Sequence, residues 1–223
     1  MTNKPSTAST HPSAVPTSAV VARTSPRVPT HLDARDAALE FMDGSLGGWD
    51  GHQFVDWCRR RLLGRGLLSM ADPISGRLAT VEEGAGRVVI PTSPYADIDP
   101  IYLPYARRLV EVARGRVVSA LSGFLRSPLD DRFVSAAIYA GRVRRVRTGD
   151  VVTWQPSLRE GEPVSHWVLA LFAVDALGAR EDYDQKLSLC ESCGAVSFAP
   201  ERQRRRCPAH LDVAAPSGRK PAR

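Results

Sequence analysis

The spacing of apolar residues predicts two helices near the start of the chain. Apolar positions repeat every three to four residues from Leu32, with Asp33 as a candidate cap, until Gly44 ends the pattern. After a glycine-rich loop the same spacing returns and stops at Gly64, so we expect a second helix there. The apolar stripes consist of Ala37, Ala38, Phe41 and Met42 in the first helix and Phe54, Cys58 and Leu62 in the second.

The pattern changes in the middle of the chain. Residues 78–81 and 87–90 are short β-favouring runs around a glycine-containing turn, which is typical of a hairpin. Prolines then favour an extended connection, and Pro104 stands at the start of the longest predicted helix. Its apolar face consists of Leu109, Val112, Ala113, Val117, Ala120, Leu121 and Phe124.

The third quarter of the chain mixes helical and strand signals. Ser127 and Pro128 predict the start of a helix that continues into an arginine cluster at 142–147. Residues 151–154 are typical of a strand. The apolar run 164–177 is long enough for a buried helix, although its large residues also alternate; we favour a helix. The expected fold is mainly α with small β elements, an α+β class.

Four metal-ligating residues lie close together near the C-terminus. Cys190 and Cys193 are separated by two residues, and the following Gly194 suits a tight turn that directs both sulfur atoms to one point. Cys207 and His210 form a second pair with the same gap. Cys₃His is a tetrahedral zinc set, and four protein ligands leave no open position, so the spacing predicts a structural Zn²⁺ site.

Other interpretations of this cluster stay open. A C-x-x-C pair also occurs in redox proteins, but there it begins a helix within a βαβ unit, which the sequence does not predict here. Iron in a rubredoxin-like site is an alternative, although histidine favours zinc. His210 as a surface residue would leave three thiolates. The fourth cysteine, Cys58, is isolated on a helix and is expected to be a core thiol.

The segment around the cluster resembles a zinc ribbon or treble-clef knuckle, and it is similar to the C-terminal zinc finger of CGNR-type bacterial transcription regulators. The family's Cys-Gly-Asn-Arg signature is replaced here by Cys-Pro-Ala-His. The resemblance implies that the four residues bind zinc, and it implies DNA binding. The shared features are Cys190, Cys193, Gly194, Phe198 and the run Arg204-Arg205-Arg206 before Cys207.

The charge of the chain is distributed unevenly. The 223 residues are 43% hydrophobic and carry a net charge of +6, a composition that excludes a fully disordered, collagen-like or disulfide-dense protein. Residues 1–30 carry +3, 140–150 carry +3 and 201–223 carry +5, which leaves −5 on the rest. Such asymmetry indicates nucleic acid or an acidic protein as partner, although solvated ends also tolerate arginine. The candidate binding residues are Arg202, Arg204, Arg205 and Arg206.

The domain organisation follows from these patterns. We expect a disordered leader at 1–31, a mainly helical domain at 32–178, a zinc module at 183–212 and a disordered basic tail at 213–223. The longest apolar run is too short to span a membrane, so no membrane partner is expected. The N-terminus does not look like a secretory signal, and metal thiolates suit a reducing compartment, so we predict a cytoplasmic location.

Signals for an active site are weak. Asp97 and Asp99 have the spacing of an acidic metal pair but are expected to form a turn or helix cap. His166 could act as a general base, yet no nucleophile is evident beside it, and a structural role at a helix start is favoured. The four tryptophans are expected in the core or at a domain interface.

Three hypotheses about function result. The first is a cytosolic zinc-binding regulator or adaptor whose zinc module presents the arginine-rich loop to nucleic acid or an acidic partner. The second is a protein–protein interaction module in which zinc is purely structural. The third, and less favoured, is an enzyme whose site lies within 91–175.

Overall fold

The computed structural model describes residues 28–43, 49–68, 76–82, 86–93, 96–126, 131–190 and 192–198, together with His210. These residues form α-helices and three separate two-stranded antiparallel sheets. The α+β class is therefore confirmed. Residues 1–27 of the predicted leader, which was expected to extend to residue 31, lie outside the described residues. The predicted tail at 213–223 also lies outside them.

One apolar helix forms the centre of the fold. This helix, α5 (Val164–Gly178), is buried around most of its circumference and packs against helices and hairpins on several sides. All-round burial explains why its sequence shows no clear periodicity. The prediction that this run is a helix is confirmed.

Two helices at the start of the described chain pack their apolar stripes into the core. In α1 (His31–Met42) and α2 (Gly51–Trp57, continued by a π-helical segment, Cys58–Leu63) the predicted stripes are buried. Asp33 is not the N-cap of α1: Thr30 is, and Asp33 completes a capping box from the third helical position.

The predicted hairpin and the predicted long helix are both present. Strands β1 (Arg77–Glu82) and β2 (Gly86–Pro91) pair antiparallel with Arg77 opposite Pro91 and Glu82 opposite Gly86. The side chain of Glu82 is buried, accepts a hydrogen bond of 3.2 Å from the Ser165 amide and pairs with Arg116. Helix α3 (Leu103–Arg126) follows a 3₁₀ turn (Pro100–Tyr102) and buries the predicted face except Val112 and Ala120, which are half-buried.

The region after α3 differs from the expectation. Helix α4 (Arg132–Tyr139) ends before the arginine cluster. Arg144, Arg145 and Arg147 of that cluster lie in strand β3 (Val143–Thr148), paired antiparallel with β4 (Val151–Pro156), and Arg142 immediately precedes the strand. The turn at Gly149 has a φ of +62°, a conformation that glycine adopts without strain. The predicted capping residues Ser127 and Pro128 lie outside the described residues.

A short helix, α6 (Arg180–Lys186), was not predicted; it connects α5 to the last hairpin. In the described part of the chain, every helix is too short or too polar to cross a membrane.

Candidate metal centre

The candidate metal centre is built on the last hairpin. Strands β5 (Leu187–Leu189) and β6 (Val196–Phe198) pair antiparallel with Leu187 opposite Phe198. In the turn between them, the Cys190 amide donates to the Ala195 carbonyl and the Gly194 amide donates to the Cys190 carbonyl, both at 2.8 Å. Gly194 has a φ of +70°, so the predicted need for glycine at this position is met.

The turn brings two cysteines together with a histidine from further along the chain. The Sγ atoms of Cys190 and Cys193 and a ring nitrogen of His210 all lie within 4.8 Å of one another. The Cys190 Sγ is 3.6 Å from His210 Nδ1. Sulfur and nitrogen ligands of a tetrahedral zinc ion are separated by about 3.6 Å, given Zn–S and Zn–N bonds of about 2.3 and 2.0–2.1 Å. The three groups are therefore spaced to hold a metal ion.

The two cysteines differ in exposure. Cys190 is buried and Cys193 is exposed, and no disulfide joins any two of the described cysteines. Because one sulfur ligand is buried and the other is exposed, the candidate ion lies close to the surface of the molecule. The predicted fourth ligand Cys207 and the predicted binding residues lie outside the described residues. Those predicted binding residues are Arg202, Arg204, Arg205 and Arg206.

The cysteine hairpin packs directly on the helices. Leu187 and Val196 belong to the same buried apolar cluster as α5, and β5 contacts α3 while β6 contacts α1. On α1, the Arg35 guanidinium lies 4.2 Å from the centre of the Phe198 ring. Its Nε is 3.3 Å from the buried Asp175 carboxylate of α5. The metal-ligand turn is thus tied to the central helix through one arginine.

Cys58 is separate from this centre. It is fully buried in the core near the end of α2, and burial raises the pKa of its thiol well above the usual value despite the opposing charge of Arg59. A protonated, inaccessible thiol is a poor ligand and a poor nucleophile. The prediction of a core thiol is confirmed.

The residues proposed for an enzymatic site do not converge. His166 lines a cavity of about 390 Å³ between α3, α4 and α5, and among the described residues neither Asp97 nor Asp99 lines it. Burial, followed by the charge of Arg142, lowers the pKa of His166. Asp99 instead caps the 3₁₀ turn by accepting a hydrogen bond from the Ile101 amide, which confirms the expected capping role.

The tryptophans have the expected structural role in three of four cases. Trp49, Trp57 and Trp167 are buried in the core. Trp154 on β4 is half-buried, and the guanidinium of Arg145 lies 5.8 Å from its ring centre. This pairing joins neighbouring strands, so it was not visible as a local sequence pattern.

A buried polar pair that the sequence did not predict joins α1 to α5. His31 Nδ1 lies 3.1 Å from Asp175 Oδ1, and the Asp175 side chain is completely buried. Burial raises the pKa of Asp175, although His31 and Arg35 partly oppose this effect. The one available signal was an acid that interrupts the apolar run near the C-terminal end of this buried helix.

Comparison with known proteins gives no relative. No family model, no curated protein and no solved structure matches the chain. The fold and the site define an α+β protein with a Cys₂His group that could hold a metal ion.

Proposed function

We propose that the chain is a zinc-binding regulator or adaptor. Its zinc ion is held by Cys190, Cys193 and His210, with Cys207 as the fourth ligand. The observation that carries the proposal is the convergence of three ligand atoms within 4.8 Å from two separate parts of the sequence. Two thiolates and an imidazole suit zinc, and a third thiolate completes a closed, structural set.

Zinc would fix the ends of the segment between the two ligand pairs. Arg202, Arg204, Arg205 and Arg206 lie within that segment. Since metal binding in small zinc modules supplies about 10–16 kcal/mol, it can hold a short loop that buries little surface. The loop then presents clustered guanidinium groups to a partner.

The partner we propose is nucleic acid or an acidic protein. Guanidinium groups bind phosphates and carboxylates in paired hydrogen bonds, and clustered arginines attract either. The resemblance to CGNR-type zinc fingers supports nucleic acid. Cysteine thiolates as metal ligands suit a reducing compartment, which supports a cytoplasmic location.

Binding to duplex and single-stranded DNA at two salt concentrations tests the nucleic-acid form. Each phosphate contact adds a slope of about 0.7–0.9 to the salt dependence of the affinity. We expect binding at low salt that weakens as salt rises and is largely lost in the double variant Arg204→Ala, Arg205→Ala.

A matched control removes the same charge from another part of the chain. Arg107 and Arg108 are exposed on α3, so the double variant Arg107→Ala, Arg108→Ala loses two positive charges far from the loop in sequence. We expect this variant to bind like the wild type. If both double variants lose DNA binding equally, or if the wild type does not bind DNA at low salt, the arginine-rich loop is not the DNA-binding site.

A second function is favoured by exposed apolar residues at the end of α4. Ile138 is 39% and Tyr139 is 91% exposed in the described structure. Exposed aromatic residues are common at protein interfaces. As a protein–protein interaction module with structural zinc, the chain would bind a protein partner at high salt, and binding would be lost in Tyr139→Ser and retained in the arginine variant.

A further inference from the structure

A large cavity lies away from the cysteine hairpin. It has a volume of about 780 Å³ and is bounded by the start of α1, the end of α5 and the β3–β4 hairpin. This volume falls within the range of about 300–1,000 Å³ that is typical of small-molecule sites. The cavity is therefore large enough for an organic ligand.

The walls of the cavity are mostly apolar. Val151 and Val152 are 62% and 46% exposed, so two consecutive aliphatic side chains on β4 are open to solvent. Val174 and Leu177 contribute from α5, and Trp154 contributes an aromatic ring. An apolar ligand body would cover these side chains.

One cation in the cavity wall has no acidic partner among the residues that the structure describes. Arg145 is exposed on β3, and no carboxylate of the described residues forms an ion pair with it; the neighbouring Arg147 pairs with Asp150 at 3.9 Å. The guanidinium of Arg145 lies over the Trp154 ring, which orients it, and none of the described residues accepts a hydrogen bond from it. It is suited to receive one anionic group.

A second polar group is held in the wall by a buried contact. His31 lines the cavity, and Asp175 engages its Nδ1, which leaves Nε2 for another partner. The ring packs closely against the end of α5: a Cβ added at Gly178 would lie 2.6 Å from the His31 Cβ. The absence of a side chain at Gly178 therefore leaves room for the His31 side chain in the cavity wall.

We propose that this cavity binds a small organic carboxylate with an apolar body, with Arg145 as the anion-binding residue. A single unpaired guanidinium in an apolar wall fits one negative charge, whereas a polyphosphate would need several donors. His31 is a polar contact in the same wall. The cavity lining does not include the candidate metal ligands Cys190, Cys193 and His210.

The test uses 2-naphthoate and its neutral analogue 2-naphthalenemethanol as probes, titrated into the full chain by calorimetry. We expect naphthoate to bind the wild type at least tenfold more tightly than the alcohol. Arg145→Gln should weaken naphthoate about tenfold and leave the alcohol within twofold. Inorganic phosphate should bind at least tenfold more weakly than naphthoate.

The adjacent arginine supplies the control. Arg144 is exposed on the same strand, but unlike Arg145 it does not line the cavity. We expect Arg144→Gln to bind naphthoate like the wild type. Equal weakening by both variants, or phosphate binding as tight as naphthoate, would show a nonspecific anion effect and overturn the assignment.

Two further outcomes would also overturn it. The first is no binding of naphthoate at millimolar concentration. The second is a dimer of the wild type in sedimentation experiments that the substitution Val152→Asp converts to a monomer. Such a result would show that a second copy of the chain covers the cavity. Val152 is half-exposed, so folding of that variant is expected and can be checked by circular dichroism.

Discussion

The guanidinium of Arg35 lies 4.2 Å from the centre of the Phe198 ring, at the junction between helix α1 and the cysteine hairpin. The side chain of Arg35 is only 13% exposed, and its Nε contacts the buried carboxylate of Asp175. One arginine thus connects the central helix to the strand that follows the metal-ligand turn.

This contact predicts energetic coupling between Arg35 and Phe198. A partly desolvated cation–π contact contributes about 0.5–2 kcal/mol. In a double-mutant cycle of Arg35→Met and Phe198→Leu, we expect a coupling energy in this range from urea unfolding. Arg107→Met paired with Phe198→Leu is the control, and its effects should add. A coupling near zero for the first pair would contradict a role for this contact.

Two helical glycines predict opposite effects of the same substitution. At Gly178 an added methyl would lie 2.6 Å from the His31 Cβ, whereas at Gly115 it meets no atom within 4 Å. Gly178→Ala should therefore destabilise the protein by about 1–3 kcal/mol. Gly115→Ala, in the middle of α3, should stabilise it by about 0.5–1 kcal/mol. Thermal unfolding of both variants checks this, and equal effects would show that the His31 contact is not tight.

His166 predicts a pH dependence of stability. Burial and Arg142 hold its pKa below the usual value of 6.5 in the folded chain. The unfolded chain therefore takes up a proton first as pH falls through 6.5, and stability declines. The unfolding free energy of the wild type minus that of His166→Gln should therefore be larger at pH 7.5 than at pH 5.5. A difference independent of pH would contradict this assignment.

The described cysteines predict ordered reactivity. Cys193 is exposed, whereas Cys58 is buried and its thiol pKa is raised by burial. In metal-free native protein, iodoacetamide should label Cys193 well before Cys58, as read by peptide mass spectrometry. Labelling of Cys58 should appear only in urea. Early labelling of Cys58 under native conditions would show that the core opens at α2.

The parts of the fold that the sequence predicts correctly depend on local patterns. The stripe of α3 and the run of α5 are long, and the metal pair Cys190 and Cys193 is defined by a gap of two residues within one turn. These signals need no knowledge of the rest of the chain. His210 could be predicted because its pair repeats the same gap.

The parts that were missed depend on distant residues. Strand β3 contains three arginines and buries Val143, so it lacks the alternation that marks a strand. The contact between His31 and Asp175 joins positions 144 residues apart. The cavity beside this contact forms only when α1, α5 and the β3–β4 hairpin pack together. No single stretch of the sequence could therefore predict it.

Metal content tests the central claim most directly. The full chain should contain one zinc ion per molecule by elemental analysis, and Cys193→Ser should lose most of it because one of the converging ligands is removed. Cys58→Ala is the matched control and should retain the zinc, since Cys58 is a core thiol outside the site. Wild-type protein that contains no zinc after purification and binds none when zinc is supplied, with its thiols reduced, would contradict the account.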